Sequence, residues 1–135
     1  MLKAHNIISP LLILVSSAIN LAYAQQTVTP QDIERFGWEY LEQTVIMTVF
    51  LDDVYACRQP SNRGKVCTYM TYRNETYMEA LFAEGFTRND ILPFIENCVD
   101  MIGTVVEVDT QTSGAMTTVP ALNIEAIEVS GNICE

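Results

Sequence analysis

Thr29-Pro30-Gln31-Asp32 leads into Ile33, Phe36, Tyr40, Leu41, Val45, Thr48, Leu51 and Tyr55, positions that recur mostly at three and four residues. The spacing predicts one helix from about Pro30 to Ala56. Thr29 is placed to cap it, with Pro30 at the first helical position and Asp32 at the third. The helix should end before Arg58-Gln59-Pro60-Ser61-Asn62-Arg63-Gly64, a run of turn formers. Within it, Val45-Ile46-Met47-Thr48-Val49-Phe50-Leu51 carries no charge. If Leu41, Val45, Thr48 and Leu51 face the core, Ile46, Met47 and Phe50 form a second stripe. Either the helix is central and covered all round, which is difficult in a domain of about three helices, or the stripe is a binding surface. That stripe is a candidate interface, and it predicts a homodimer.

Working outward, a second helix is expected from about Lys65 to Glu84, closed by Gly85. Its residues Tyr69, Met70, Tyr72, Tyr77 and Met78 suit a core or an adaptable surface equally. A third helix should begin near Asn89 or Asp90, tolerate Pro93 in or near its first turn, and carry the stripe Ile91, Ile95, Cys98, Ile102 and Val105 or Val106. Beyond Gly103 the pattern is divided. Thr104 to Thr110 alternates in part, as a strand would, and Leu122 to Val129 reads either as its partner strand or as a short helix after Pro120. Gln111 to Thr118 forms a polar loop between them, with Met116 beyond Gly114 as a further candidate contact. The expected fold is mainly α: a small disulfide-stapled domain of about three helices, with a C-terminal β-hairpin as the open alternative.

The N-terminus reads as an export signal. Lys3 precedes the apolar stretch Ile7 to Leu21, and Ala22-Tyr23-Ala24 supplies the small-x-small cleavage pattern. Residues 1–24 would be the signal peptide, and 25–135 a single globular domain. The apolar core falls short of the ~20 residues that span a bilayer, so no membrane association is expected after cleavage. The whole chain has 7 Lys+Arg against 17 Asp+Glu and a formal charge of −10. Such a charge disfavours nucleic acid, because every phosphate contact would start with repulsion.

Cleavage would also remove His5, the one histidine. Serine and cysteine triads that need histidine, histidine-ligated zinc and C-x-x-C-H haem attachment then fall away. Four cysteines remain, Cys57, Cys67, Cys98 and Cys134, with no C-x-x-C pair. An even count in an exported chain of this size predicts two disulfides. Three pairings are open. The helix reading favours Cys57–Cys67, which would staple a helical hairpin, and Cys98–Cys134, which would tie the C-terminus to the third helix.

The carboxylates raise the question of a glycosidase, which needs an acid and a base or nucleophile. Asp52 and Asp53 would point apart on a helix, while Glu96 and Asp100 would share a face, but as a solvated one. No D-x-D-x-D-G calcium loop occurs. Asn74-Glu75-Thr76 matches a glycosylation acceptor, a pattern that chance supplies often. No catalytic residue, metal or cofactor is expected.

An exported, acidic, disulfide-stapled domain of this kind is best explained by binding, and its charge favours a basic partner. In its export signal, length, acidity, cysteines and helices, the chain resembles the periplasmic immunity proteins that protect type VI secreting bacteria from their own wall-degrading effectors. That resemblance covers the whole chain. It implies a periplasmic antitoxin, frequently dimeric, that occludes the cleft of a secreted peptidoglycan hydrolase. Two other classes compete: an envelope-stress chaperone, which would protect many clients at low pH, and a small wall hydrolase using paired carboxylates.

Overall fold

In the computed structural model, which describes residues 26–74 and 76–134, burial in the segment Thr44–Ala56 alternates with a period of two. Val45, Met47, Val49 and Leu51 are each fully buried, while Thr44, Ile46, Thr48 and Phe50 are half-buried. This is a strand, and the expected helix from Pro30 to Ala56 is wrong. Only Pro30–Phe36 is α-helical (α1), followed by a 3-10 turn at Gly37–Tyr40. Val45, Ile46, Thr48 and Val49 are β-branched, stiff at χ1 and well suited to a pleated surface. Both sets of alternating positions are largely apolar here, so the helical spacing at 45, 48 and 51 coexists with the true period of two.

The mainly-α expectation is overturned throughout: the fold is mainly β, a six-stranded mixed sheet with two short helices and two disulfides. In chain order the strands are β1 (Gln26–Thr27), β2 (Thr44–Ala56), β3 (Val66–Tyr72), β4 (Thr76–Phe82), β5 (Cys98–Thr112) and β6 (Ala115–Val129). The expected second helix is the β3–β4 hairpin, turning through Arg73 and Asn74 at φ of 53° and 54°. The expected third helix shrinks to α2 (Arg88–Ile91) and a 3-10 turn at Leu92–Phe94. The C-terminal hairpin is present, and longer at both strands than the alternation at 104–110 and 122–129 suggested. The export signal expected at residues 1–24 lies outside the described residues.

β1 runs parallel to β2, and β2, β3 and β4 follow one another antiparallel. β4 then meets β6 in parallel, β6 pairs with β5, and β5 returns to β2, closing five strands into a barrel. This Greek-key closure, with a short helix between the third and fourth barrel strands, is that of an OB-like barrel. The core gathers Val45, Met47, Val49, Leu51, Met70, Phe82, Val99, Met101, Leu122 and Ile124, with Ile33 of α1 and Ile91 of α2 packed in. A bulge between Leu51 and Asp53 moves the inward positions from odd to even numbers, and Val54 is buried as a result. The buried Thr68 hydroxyl donates to the Asp53 carbonyl at 2.6 Å and so satisfies the backbone that the bulge displaces.

Local signals of helix entry survive in the shortened helices. Thr29 caps α1 as expected, with reciprocal bonds to Asp32, and Thr87 and Asp90 repeat the arrangement at α2. Cys57–Cys67 and Cys98–Cys134 are both formed, with Cα separations of 5.0 and 5.6 Å. The first joins adjacent strands rather than helices, across the same short loop.

Candidate functional site

The β5–β6 ribbon outruns its neighbours. β2 covers β5 from Cys98 to Thr104, and β4 meets β6 only at Leu81–Asn123 and Phe82–Ile124. From the Glu107–Pro120 pair to the Thr112–Ala115 pair the ribbon is therefore two strands alone, an arm of roughly 20 Å at ~3.3 Å per residue. Ser113 and Gly114 turn it at φ of 52° and 82°, a sequence of positive angles that matches the strands' twist. Residues 113–119 are all exposed.

At the base of this arm lies a cleft of about 420 Å³. Val108, Asp109, Thr110, Val119, Pro120 and Ala121 form the wall that belongs to the arm. The loop after β2 faces it with Arg58, Gln59 and Asn62, and Cys67, Glu79 and Ala80 lie at the β3–β4 side. Pro30, Ile33, Glu34 and Trp38 close the remaining side from α1 and the turn after it. That turn sits close because Gly37 has no side chain: a Cβ there would stand 2.4 Å from Cγ of Pro120. Trp38, the one tryptophan of the chain, is 51% exposed. Three carboxylates, from Glu34, Glu79 and Asp109, face a single guanidinium.

Beside the cleft, the rings of Tyr55 and Tyr69 stack with centroids 4.6 Å apart. The Arg58 guanidinium stands 5.7 Å from the centre of the Tyr55 ring. The Tyr55 oxygen is buried without a hydrogen bond of ordinary geometry; its polar neighbours are Glu79 and Tyr69. Burial first, and these two groups second, push its ionisation far above the usual phenol range. Tyr55 is therefore a neutral aromatic surface, not a base.

The residues expected at an interface do not come together. Met47 is inside the barrel, whereas Ile46 and Phe50 are half-buried on the outer side of β2, opposite Ile102 and Cys98. Period two separates what a helix would have joined, so the expected three-residue stripe does not exist. Met116 is 59% exposed near the tip of the arm, opposite Gln111. Of the cysteines, Cys67 lines the cleft, and the Cys98–Cys134 bridge is not part of it. The paired carboxylates are engaged singly: Asp52 accepts from the Thr71 hydroxyl, and Asp100 accepts from that of Thr48 at 2.5 Å. Glu96 lies in a turn at φ of 63°, not on a helical face with Asp100. Asn74 belongs to the β3–β4 turn. Trp38, Glu34, Arg58, Glu79 and Asp109 were not singled out by the sequence, although a lone Trp just past a capped helix is a usable signal.

No protein-family model matches the chain, and no curated protein matches it. Among solved structures it is similar to a protein described as an aspartyl-tRNA synthetase from Leishmania major Friedlin. The identity is 14% and the TM-score 0.53, over 77% of this chain and 20% of that one. The chain spans about a fifth of that protein's length. The likeness is one of fold alone. The two disulfides, with no free cysteine among the described residues, indicate a chain that works outside the reducing cytosol. No described helix is long and apolar enough to cross a membrane.

Proposed function

We propose that this protein is a periplasmic binding module that recognises a basic partner at the cleft beside the β5–β6 arm, and acts by occupying that partner rather than by chemistry. The observation that carries the reading is the charge of the cleft, three carboxylates against one guanidinium around an exposed tryptophan. Carboxylates gathered in a recess make the local potential negative, hasten encounter with a cation and fix its orientation. Next to them the chain from Thr110 to Ile124 carries no charge at all, in a protein of formal charge −10. A neutral, exposed ribbon of this kind can enter a groove without bringing carboxylates into it. Small barrels of this class commonly bind elongated ligands through their strand faces and flanking loops.

The partner we assign is a secreted peptidoglycan-degrading effector, with the protein as the antitoxin of the cell that makes it. Its charge supports this over nucleic acid. The test is co-expression in the periplasm with a hydrolase encoded beside its gene. Growth should be rescued by the natural chain and lost when Glu34→Gln, Glu79→Gln and Asp109→Asn are combined. Rescue that is indifferent to these changes, or equal protection by a form confined to the cytoplasm, overturns the reading.

A further inference from the structure

The cleft lies where two strand edges diverge. β4 and β6 are paired at only two positions, and beyond them Glu79 and Ala80 on one side and Val119 to Ala121 on the other line the opening. Among the described residues, no strand pairs with the outer edge of β6 from Ala115 to Pro120, and Pro120, lacking an N–H, is a residue that strand edges tolerate. An open edge of this kind accepts an extended chain by backbone hydrogen bonding.

The side-chain chemistry of the recess states what that chain should carry. Neither Glu34 nor Asp109 has a basic partner among the described residues, and Glu79 stands beside the Tyr55 phenol and across from Tyr69. The one lining cation, Arg58, is drawn over the Tyr55 ring. Trp38 leaves half its surface open, and an indole face attracts an ammonium or guanidinium group. At about 420 Å³ the recess also has room for more than one side chain. We infer that the cleft binds an extended basic segment of a partner protein, seating a lysine or arginine side chain against Trp38 and the three carboxylates while the segment's backbone lies along the open edge of β6.

This inference rests on the reading of the cleft as a docking site, and it can be tested without the partner. Trp38 is the sole tryptophan, so its emission reports on the cleft directly. The disulfide-bonded chain is titrated with end-blocked pentalysine, with spermine, with pentaglutamate and with a chitin oligosaccharide. Pentalysine should shift the emission, and the three others should not. By calorimetry, Glu34→Gln with Asp109→Asn should weaken pentalysine roughly tenfold, as expected when two solvent-exposed ion pairs are lost. Trp38→Leu should weaken it roughly twofold to fivefold. Spermine binding as well as pentalysine would make the site one for small polyamines; a response to the oligosaccharide would make it a glycan site; either result, or no response to pentalysine, overturns the inference. Pentalysine binding without protection against any hydrolase would overturn the immunity reading and leave this site standing. Cleft-dependent protection without pentalysine binding would do the reverse.

Discussion

Replacing Gly103 by alanine should destabilise the barrel more than its single methyl suggests. Gly103 is buried in β5 beside the bulge that Glu125 makes in β6, and it faces Val45 on β2 and Ile124 on β6. A Cβ there would lie 2.3 Å from the Asn123 carbonyl oxygen, 2.9 Å from its carbon and 3.0 Å from Cδ1 of Leu122. The first contact is with backbone, so no rotamer relieves it. β6 must retreat by about 0.7 Å, at the seam where it also holds its two pairs with β4. Overpacking of this kind costs about 1–3 kcal/mol, and a rigid obstacle places it at the upper end. The smaller conformational freedom of alanine in the unfolded chain returns only about 0.4–1 kcal/mol. The net loss of about 2 kcal/mol should lower the melting temperature by roughly 10–15 °C, read from far-ultraviolet circular dichroism. Gly131→Ala is the control, because nothing lies within 4 Å of its Cβ. A Gly103→Ala melt indistinguishable from this control would refute the close approach of β5 and β6.

Met47→Ala should cost about 2–5 kcal/mol in chemical denaturation and Ile46→Ala only about 1 kcal/mol, whereas equal losses would contradict the alternation of β2. Removing Cys57–Cys67 should cost about 3 kcal/mol and removing Cys98–Cys134 about 4 kcal/mol, the longer loop losing more; a reversed order would mean that denatured-state closure does not govern them. Asp90 accepts hydrogen bonds from the Thr87 backbone and hydroxyl, which hold its carboxyl below the ordinary 3.8. Its contribution to stability is therefore present above that value and lost as pH falls through the depressed one. An NMR titration should find the Asp90 midpoint below 3.8 and rising towards it in Thr87→Ala; an unmoved midpoint would deny the cap.

The sequence discloses the local chemistry of this fold better than its periods. Thr29, Pro30 and Asp32 announce a helix start correctly, since a cap needs only residues three apart. The cysteine pairing is also legible, because Cys57 and Cys67 flank a turn whichever elements they close. The element after the cap is not. Val45 to Leu51 is apolar on both faces, as a strand in a closed barrel can be when its outer side is half-covered, and such a run suits either period. Bulges then break the alternation within β2, at Leu51/Asp53, and within β6, where Glu125 is the extra residue opposite Ile102 and Gly103. The cleft was invisible for another reason. Glu34, Arg58, Glu79 and Asp109 come from four elements, and only barrel closure brings them around Trp38.

The most direct test of the account is hydrogen exchange of the protein alone and in complex with the hydrolase it is proposed to block. The account predicts slowed exchange from Arg58 to Asn62 and from Thr110 to Val119, with β2 from Thr44 to Phe50 unchanged. Protection centred on the outer side of β2 around Ile46 and Phe50, with the cleft and arm exchanging as freely as before, would contradict it.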